Sequence, residues 1–301
     1  MPQQNKSDPV FDQIARLPCW SGSIDIEPLV GGITNRNYRI TEAGGRRLVV
    51  RLGEDIPEHG VMRFNELAAA RAAQAAGISP EVIFAGDGFL VSRFIDGRTF
   101  TPVDVREPLN LDRIVELVRR CHHDIPRHFQ GPALIFWVFQ VIRNYLNLLN
   151  ARHSNPYDVT LDSLAQKGER LEQALGPVTI VFGHNDLLAA NLIDDGQRLW
   201  LIDWDYAGFN SPLFDLANLA SNNEFTPDRE ASLLDSYFGR PASREHCRGF
   251  AAMQCASLLR ETLWGAVSRL TSTIEFDYSA YAHDYLGRFD RMWQKFEASH
   301  G

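Results

Sequence analysis

Lysine is nearly missing from this 301-residue chain: Lys6, Lys167 and Lys295 are the only three, so almost all of its 30 basic residues are arginine. Any site that needs a fixed cation must therefore use arginine over most of the chain. Cysteine is scarce as well. The four residues, Cys19, Cys121, Cys247 and Cys255, are scattered and form no C-x-x-C pair. That argues against a disulfide framework or a thiolate zinc centre and reads as free buried thiols in a reducing cytoplasm. Long apolar runs are missing too. The longest, at 133–142, is too short to cross a bilayer and is expected as a buried helix, so no membrane insertion is expected. The opening MPQQNKSDPVFDQ lacks the basic and apolar regions of a signal peptide. No Walker A loop, dinucleotide-binding glycine fingerprint or internal repeat occurs. A net charge of −8 argues against nucleic acid as the main partner and suits a cationic substrate.

What is present is concentrated in Val181–Gly208. His184, Asn185, Asp186 and Asn191 form one polar cluster, and Asp203 and Asp205 form a second. Each follows a short apolar run, ThrIleValPhe and LeuTrpLeuIle, that reads as a buried strand. AspAspGly at 194–196 is a hairpin-turn signal between the runs. Carboxylates and amides emerging from adjacent strand ends are costly to bury unless a cation joins them. Asp186 and Asn191 fit the D-x-x-x-x-N loop of phosphoryl-transfer enzymes, and Asp203 stands where a second Asp holds Mg²⁺. The spacing lets Asp186 reach the proton of an attacking hydroxyl while Asn191 and Asp203 reach a metal on the phosphates. The D-x-x-x-x-N spacing alone also fits a solvated acidic loop; the surrounding residues favour the phosphoryl-transfer reading.

Upstream, 23–30 and 36–41 alternate like strands around GlyGlyIleThrAsn at 31–35. Gly31 and Gly32 let backbone approach a ligand, and Thr34 and Asn35 offer donors to phosphate. A plain hairpin turn accounts for the same residues. A strand at 46–52 carries Arg51, whose fork can hold phosphate. A helix near Met62–Ala76 carries Glu66, a candidate partner for Arg51, although a solvated Glu is the default there. The strand at 89–97 runs into a connector, where backbone near Arg93, Phe94 and Ile95 would meet an adenine edge.

From Asp104 onward the pattern is helical, with helices expected near 111–121, 134–150, 159–174, 213–222, 228–238, 244–270 and 278–298. Asp215 is expected to bond backbone near the Asp186 loop. His122 and His123 read as helix-end residues. The last third is rich in aromatics, mostly helix core. Trp264, Tyr278 and Tyr281, beside Glu224 or Asp277, can hold an ammonium group against their ring faces.

In order along the chain, these motifs resemble the choline/ethanolamine kinase family, within the aminoglycoside-phosphotransferase-like branch of the protein-kinase-like fold. GlyGlyIleThrAsnArgAsnTyr, which includes Asn37, resembles its phosphate loop, and ValValArgLeuGly its cation-bearing strand. ArgPheIleAspGlyArg resembles its hinge. HisAsnAspLeuLeuAlaAlaAsn and IleAspTrpAspTyrAla resemble its catalytic and metal motifs, and the segment from Trp264 to Ala282 its acceptor pocket. The resemblance implies an α+β, two-lobed fold: a small antiparallel-sheet lobe over 1–96 and a larger, mainly helical lobe over 97–301. It implies ATP and Mg²⁺ as cofactors, Asp186 as base, Asn191 and Asp203 as metal ligands, Arg51 on phosphate and Leu188 beside the nucleotide. The acceptor is expected to be a small amino alcohol, choline first and ethanolamine second. A kinase of thiamine, an aminoglycoside or a sugar amine is an alternative, as is a nucleotide-binding regulator. Val267 and Phe225 stand where the family often has tryptophan, which thins the expected cage.

Overall fold

A computed structural model describes residues 9–29 and 34–300. They fall into two units. One takes the chain up to Glu54 together with Pro80–Asp96; the other takes Asp55–Ser79 and the chain from Gly97 onward.

The first unit is an antiparallel sheet. Its strands are β1 (Ile24–Leu29), β2 (Arg36–Glu42), β3 (Arg47–Leu52), β4 (Val82–Gly86) and β5 (Phe89–Arg93), in the order β1-β2-β3-β5-β4. Period-two alternation builds the buried face: Tyr38 and Ile40 on β2, Leu48 and Val50 on β3, Phe89 and Val91 on β5. Helix α1 (Pro9–Ala15) adds Val10 and Ile14 to that core, and the Trp20 indole donates to the Ile14 carbonyl at 2.8 Å. Strand β4 was not expected. It is an edge strand, half-buried at all five positions, so it shows no alternation. Its turn into β5 is Asp87–Gly88, both with positive φ (51° and 81°), an Asp-Gly hairpin signal.

The second unit is mainly helical. It contains α2 (Arg63–Ala75), β6 (Arg98–Thr99), α3 (Pro102–Arg106), α4 (Pro108–His123), α5 (Ile125–His128), α6 (Val138–Ala151) and α7 (Leu161–Leu175). Four short strands follow: β7 (Val181–Gly183), β8 (Leu192–Asp194), β9 (Leu199–Leu201) and β10 (Gly208–Asn210). The chain then closes with α8 (Pro212–Asn222), α9 (Pro227–Phe238), α10 (Arg244–Thr271) and α11 (Tyr278–His300). Helix α10 is the axis. It packs against α6, α7, α8 and α11, and nearly every residue from Gly249 to Ser268 is buried. A helix buried all round needs apolar or internally paired residues on every face.

Two expectations change. The apolar run at 133–142 is not one helix. Residues before Val138 run extended beside β10, with Phe136 N–H donating to the Phe209 carbonyl at 2.9 Å, and Ile135 is 75% exposed. The strands before the two polar clusters are not sheet neighbours either: β7 pairs with β10, while β9 pairs with β8 across the AspAspGly turn. Among the described residues no helix is long and apolar enough to cross a membrane.

Candidate active site

The loop from His184 to Asn191 leaves β7, and buried polar side chains fix its path. Asp215, in the first turn of α8, accepts the N–H groups of His184 (2.8 Å) and Asn185 (2.7 Å) and also faces His122 Nε2 at 3.0 Å. Burial alone would raise its pKa; the His122 contact and the backbone donors hold it below the ordinary aspartate range. His122 is, as expected, a helix-end residue; it is buried, and its Nδ1 meets the Tyr237 hydroxyl at 2.7 Å. Asn185 takes a left-handed backbone (φ 66°), and its Nδ2 donates to the Tyr206 carbonyl at 2.9 Å. Asparagine tolerates that conformation better than most residues. His184 accepts the Asp186 N–H at Nδ1 (3.3 Å), so its Nε2 carries the hydrogen donated to the Ile202 carbonyl (2.9 Å). Burial lowers its pKa, consistent with that neutral tautomer.

These bonds present Asp186, whose side chain keeps 16% of its exposure. Burial pushes its carboxyl up to about 7; Arg260 acts in the opposite direction, and Glu261 and Asp205 reinforce the rise. Asn191 donates from Nδ2 to the Asp186 carbonyl at 2.9 Å, which turns its Oδ1 away from that bond. The Asn191 carbonyl accepts the Ile202 N–H at 3.1 Å, tying the Asp186 loop to the strand that leads into Asp203. Asp203 itself is exposed on left-handed backbone (φ 69°). A non-glycine residue held in that region costs free energy and is found at functional sites. Leu188, half-buried, shares the loop, its N–H donating to the Asp186 carbonyl at 2.9 Å.

Asp205 takes Arg63 Nη1 at 2.6 Å, and the same nitrogen meets Glu66 at 2.8 Å. Arg63 had no signal in the sequence beyond an acid three residues later. Asn65, fully buried, donates to the Ala207 carbonyl at 2.7 Å and fastens α2 to the same turn.

The rings gather where α10 meets α11. Trp264 lies 5.8 Å from Tyr278, 5.4 Å from Tyr281 and 5.5 Å from His59, and its indole donates to the Tyr206 hydroxyl at 2.8 Å. Glu224 is not the carboxylate that contacts them; it is exposed just after α8. Asp277, also exposed, accepts the Ala280 N–H at 2.9 Å. The acid in contact is Glu261, which accepts the Tyr281 hydroxyl at 2.7 Å and pairs with Arg260. Sequence reading passed over both residues, because a charged pair inside a helix reads as a solvated face. Val267 is buried elsewhere on α10, and Glu261, three residues before Trp264, occupies the position facing Tyr281.

In the first unit, Asn37 and Arg51 are cross-strand partners on β2 and β3, so they share a face. Arg51 donates to the Gly53 carbonyl at 3.1 Å. Thr34 is half-buried and Asn35 buried; Gly31 and Gly32 lie outside the described residues. The exposed Arg93 pairs with Glu81 at 2.8 Å. The N–H groups of Arg93 and Phe94 already bond the Glu81 and Arg47 carbonyls, so of the three expected near an adenine only that of the half-buried Ile95 is not spent this way.

The sequence matches the choline/ethanolamine kinase family over residues 26–232. Protein LicA of Haemophilus influenzae is 27% identical over 69% of this chain and 61% of that protein, so the chain spans less than two thirds of its length. Ethanolamine kinase 2 of Mus musculus is 29% identical over 83% of this chain and 71% of that one. Among solved structures, a choline/ethanolamine kinase family protein from Mesorhizobium loti superposes with a TM-score of 0.77 at 28% identity, covering 96% of both chains. The chain therefore belongs to the choline/ethanolamine kinase family, small-molecule kinases that act on an alcohol group, and has the α+β, protein-kinase-like fold.

Proposed function

We propose that the chain is an ATP-dependent phosphotransferase that moves the γ-phosphoryl group to the hydroxyl of a small amino alcohol. The observation that carries this reading is the Asp186 loop, whose backbone is braced from both sides by Asp215, Asn191 and His184 so that the carboxylate is presented in a fixed place. Asp186 would orient the acceptor hydroxyl and take its proton as the oxygen attacks phosphorus. Its raised pKa suits that role, because a base titrating near neutrality both accepts and releases a proton readily. Thr34, Asn35, Asn37 and Arg51 would hold phosphate oxygens, with Glu66 on the nucleotide side, and Leu188 with Arg93, Phe94 and Ile95 would line the base.

The donor set fits Mg²⁺: an amide oxygen and a carboxylate are hard ligands, and this ion is commonly held by one or two carboxylates plus substrate phosphates. Asn191 and Asp203 would hold it, and its charge would offset that of the phosphates during transfer. Trp264, Tyr278 and Tyr281 would form the acceptor wall, with Glu261 rather than Glu224 as its acid. We assign the protein to the cytoplasm, where its four cysteines, all free in the structure, would stay reduced.

An ATP-coupled assay with Mg²⁺ and a panel of choline, ethanolamine, thiamine and kanamycin tests the reading. Saturable turnover on an amino alcohol is the expected result. Turnover confined to thiamine or kanamycin would discard the acceptor class, and ATP binding without transfer to any alcohol would discard the kinase.

A further inference from the structure

Arg260 has a surplus of hydrogen-bond donors at a place where surplus is costly. It lies on α10 beside the Asp186 carboxylate and is 1% exposed. Its Nη1 serves two acids, pairing with Glu261 and lying 3.6 Å from Asp186 Oδ1. Among the described residues, its Nε and Nη2 have no hydrogen-bond partner and are buried. A buried donor left unmade costs free energy, most of all on a charged group. By the covalent geometry of the guanidinium, Nε–H and Nη2–H lie parallel along one edge. That edge holds two oxygens of a carboxylate bidentately.

The same guanidinium already occupies two ring faces next to the Trp264 cluster, though none of Trp264, Tyr278 or Tyr281 themselves. Its Cζ stands 4.3 Å over Tyr206, whose hydroxyl anchors Trp264, and 5.7 Å from the Phe136 ring. A ring face attracts one cation, and here that cation belongs to the chain. Glu261 is likewise committed, to Arg260 and to the Tyr281 hydroxyl. A trimethylammonium group would meet an acid that already has two partners, with the Arg260 guanidinium beside it.

We infer that Arg260 is a specificity-determining residue, and that the acceptor is an amino alcohol that also carries a carboxylate, a small hydroxy amino acid. The inference rests on the kinase reading above and narrows its acceptor. The reaction balances without a further reactant. The acceptor oxygen forms a bond to the γ-phosphorus, the bond from that phosphorus to the β,γ-bridging oxygen breaks, ADP leaves, and the hydroxyl proton passes to Asp186. Nη1 faces Asp186, where the reacting hydroxyl must lie, and the buried, unpaired edge is turned away from it. An anion on that edge therefore belongs to a part of the acceptor remote from the hydroxyl, not to the phosphoryl group in transfer.

The test compares L-serine and L-homoserine with ethanolamine and choline, by calorimetric binding and by ATP-coupled turnover, in the wild type, Arg260→Met and Arg260→Lys. The wild type is expected to bind and turn over at least one hydroxy amino acid about tenfold or more better than ethanolamine, as expected for a bidentate carboxylate contact worth about 1.4 kcal/mol or more. Arg260→Met should erase that preference through KM, and Arg260→Lys, which keeps the charge but not the fork, should lose part of it. Tighter binding of ethanolamine or choline by the wild type would overturn the inference. So would a loss of kcat on every acceptor with the preference intact, which would put Arg260 on the phosphoryl group. The wild-type comparison holds even if Arg260→Met fails to fold. Failure of turnover on every acceptor would strike the kinase reading and leave the binding comparison to judge this one.

Discussion

The Asp186 loop and the ring cluster around Trp264 sit in the same unit but are built by different means. The loop is held by short bonds from buried side chains to backbone: Asp215 to two consecutive N–H groups, Asn185 to the Tyr206 carbonyl, Asn191 to the Asp186 carbonyl. The cluster is held by ring contacts, two hydroxyl bonds and one buried ion pair between adjacent residues of a single helix. Backbone bonding fixes atoms to a fraction of an ångström, which a proton transfer needs. Ring packing fixes shape and charge more loosely, which on the proposed function would let acceptor choice drift while the transfer chemistry stays in place.

The sharpest way to break the comparison is Asp186→Asn. The loop bonds use the backbone of residue 186, so the fold should keep its melting temperature. Turnover should fall by about 10²–10⁴, the usual contribution of a positioned general base. A drop of less than tenfold would mean that the braced loop presents some other group.

Asp215→Asn attacks the brace itself. An amide can accept one of the two N–H groups but offers a donor to the other, and His122 loses its anionic partner. Leaving one buried N–H unmet costs roughly 1–3 kcal/mol, visible as a lower urea midpoint, together with reduced turnover. The pKa of Asp215 is depressed on folding, so its stabilisation is fully present above the unfolded aspartate value of about 4. It is lost as pH falls below that value through the folded one. Wild-type stability should therefore decline over that acid range, and the Asn variant should decline less; parallel acid curves would remove Asp215 from the linkage.

The same contrast explains what could be read from the sequence. Asp186, Asn191 and Asp203 stood out as candidates because they fit a pattern of fixed local spacing, and the bracing role of Asp215 was legible because it opens a helix next to that loop. The antiparallel sheet was legible where one face is buried, as in β2 and β3, and illegible in β4, where no face is. Arg63, Arg260 and Glu261 were illegible for a physical reason. Each acquires its role from a neighbour supplied by another element, and a charged pair inside a long helix looks like surface until the helix is found buried on all sides. Glu224 was the mirror error. An acid near an aromatic in sequence was taken for one near aromatics in space, and the chain turns it outward.

The mildest probe falls on the cluster. Trp264→Phe keeps a ring against Tyr278 and Tyr281 but removes the indole N–H that bonds the Tyr206 hydroxyl. One net hydrogen bond is worth about 1 kcal/mol, and the smaller ring adds a modest packing loss. Tyr206 would lose a restraint directly beneath the Arg260 guanidinium. The acceptor KM should therefore rise severalfold, with little change in kcat and none in the KM for ATP, because the backbone-held loop does not depend on this ring. A fall in kcat comparable to that of Asp186→Asn would show that the two regions are mechanically one, and that the loop's precision is set from α10 as much as from α8.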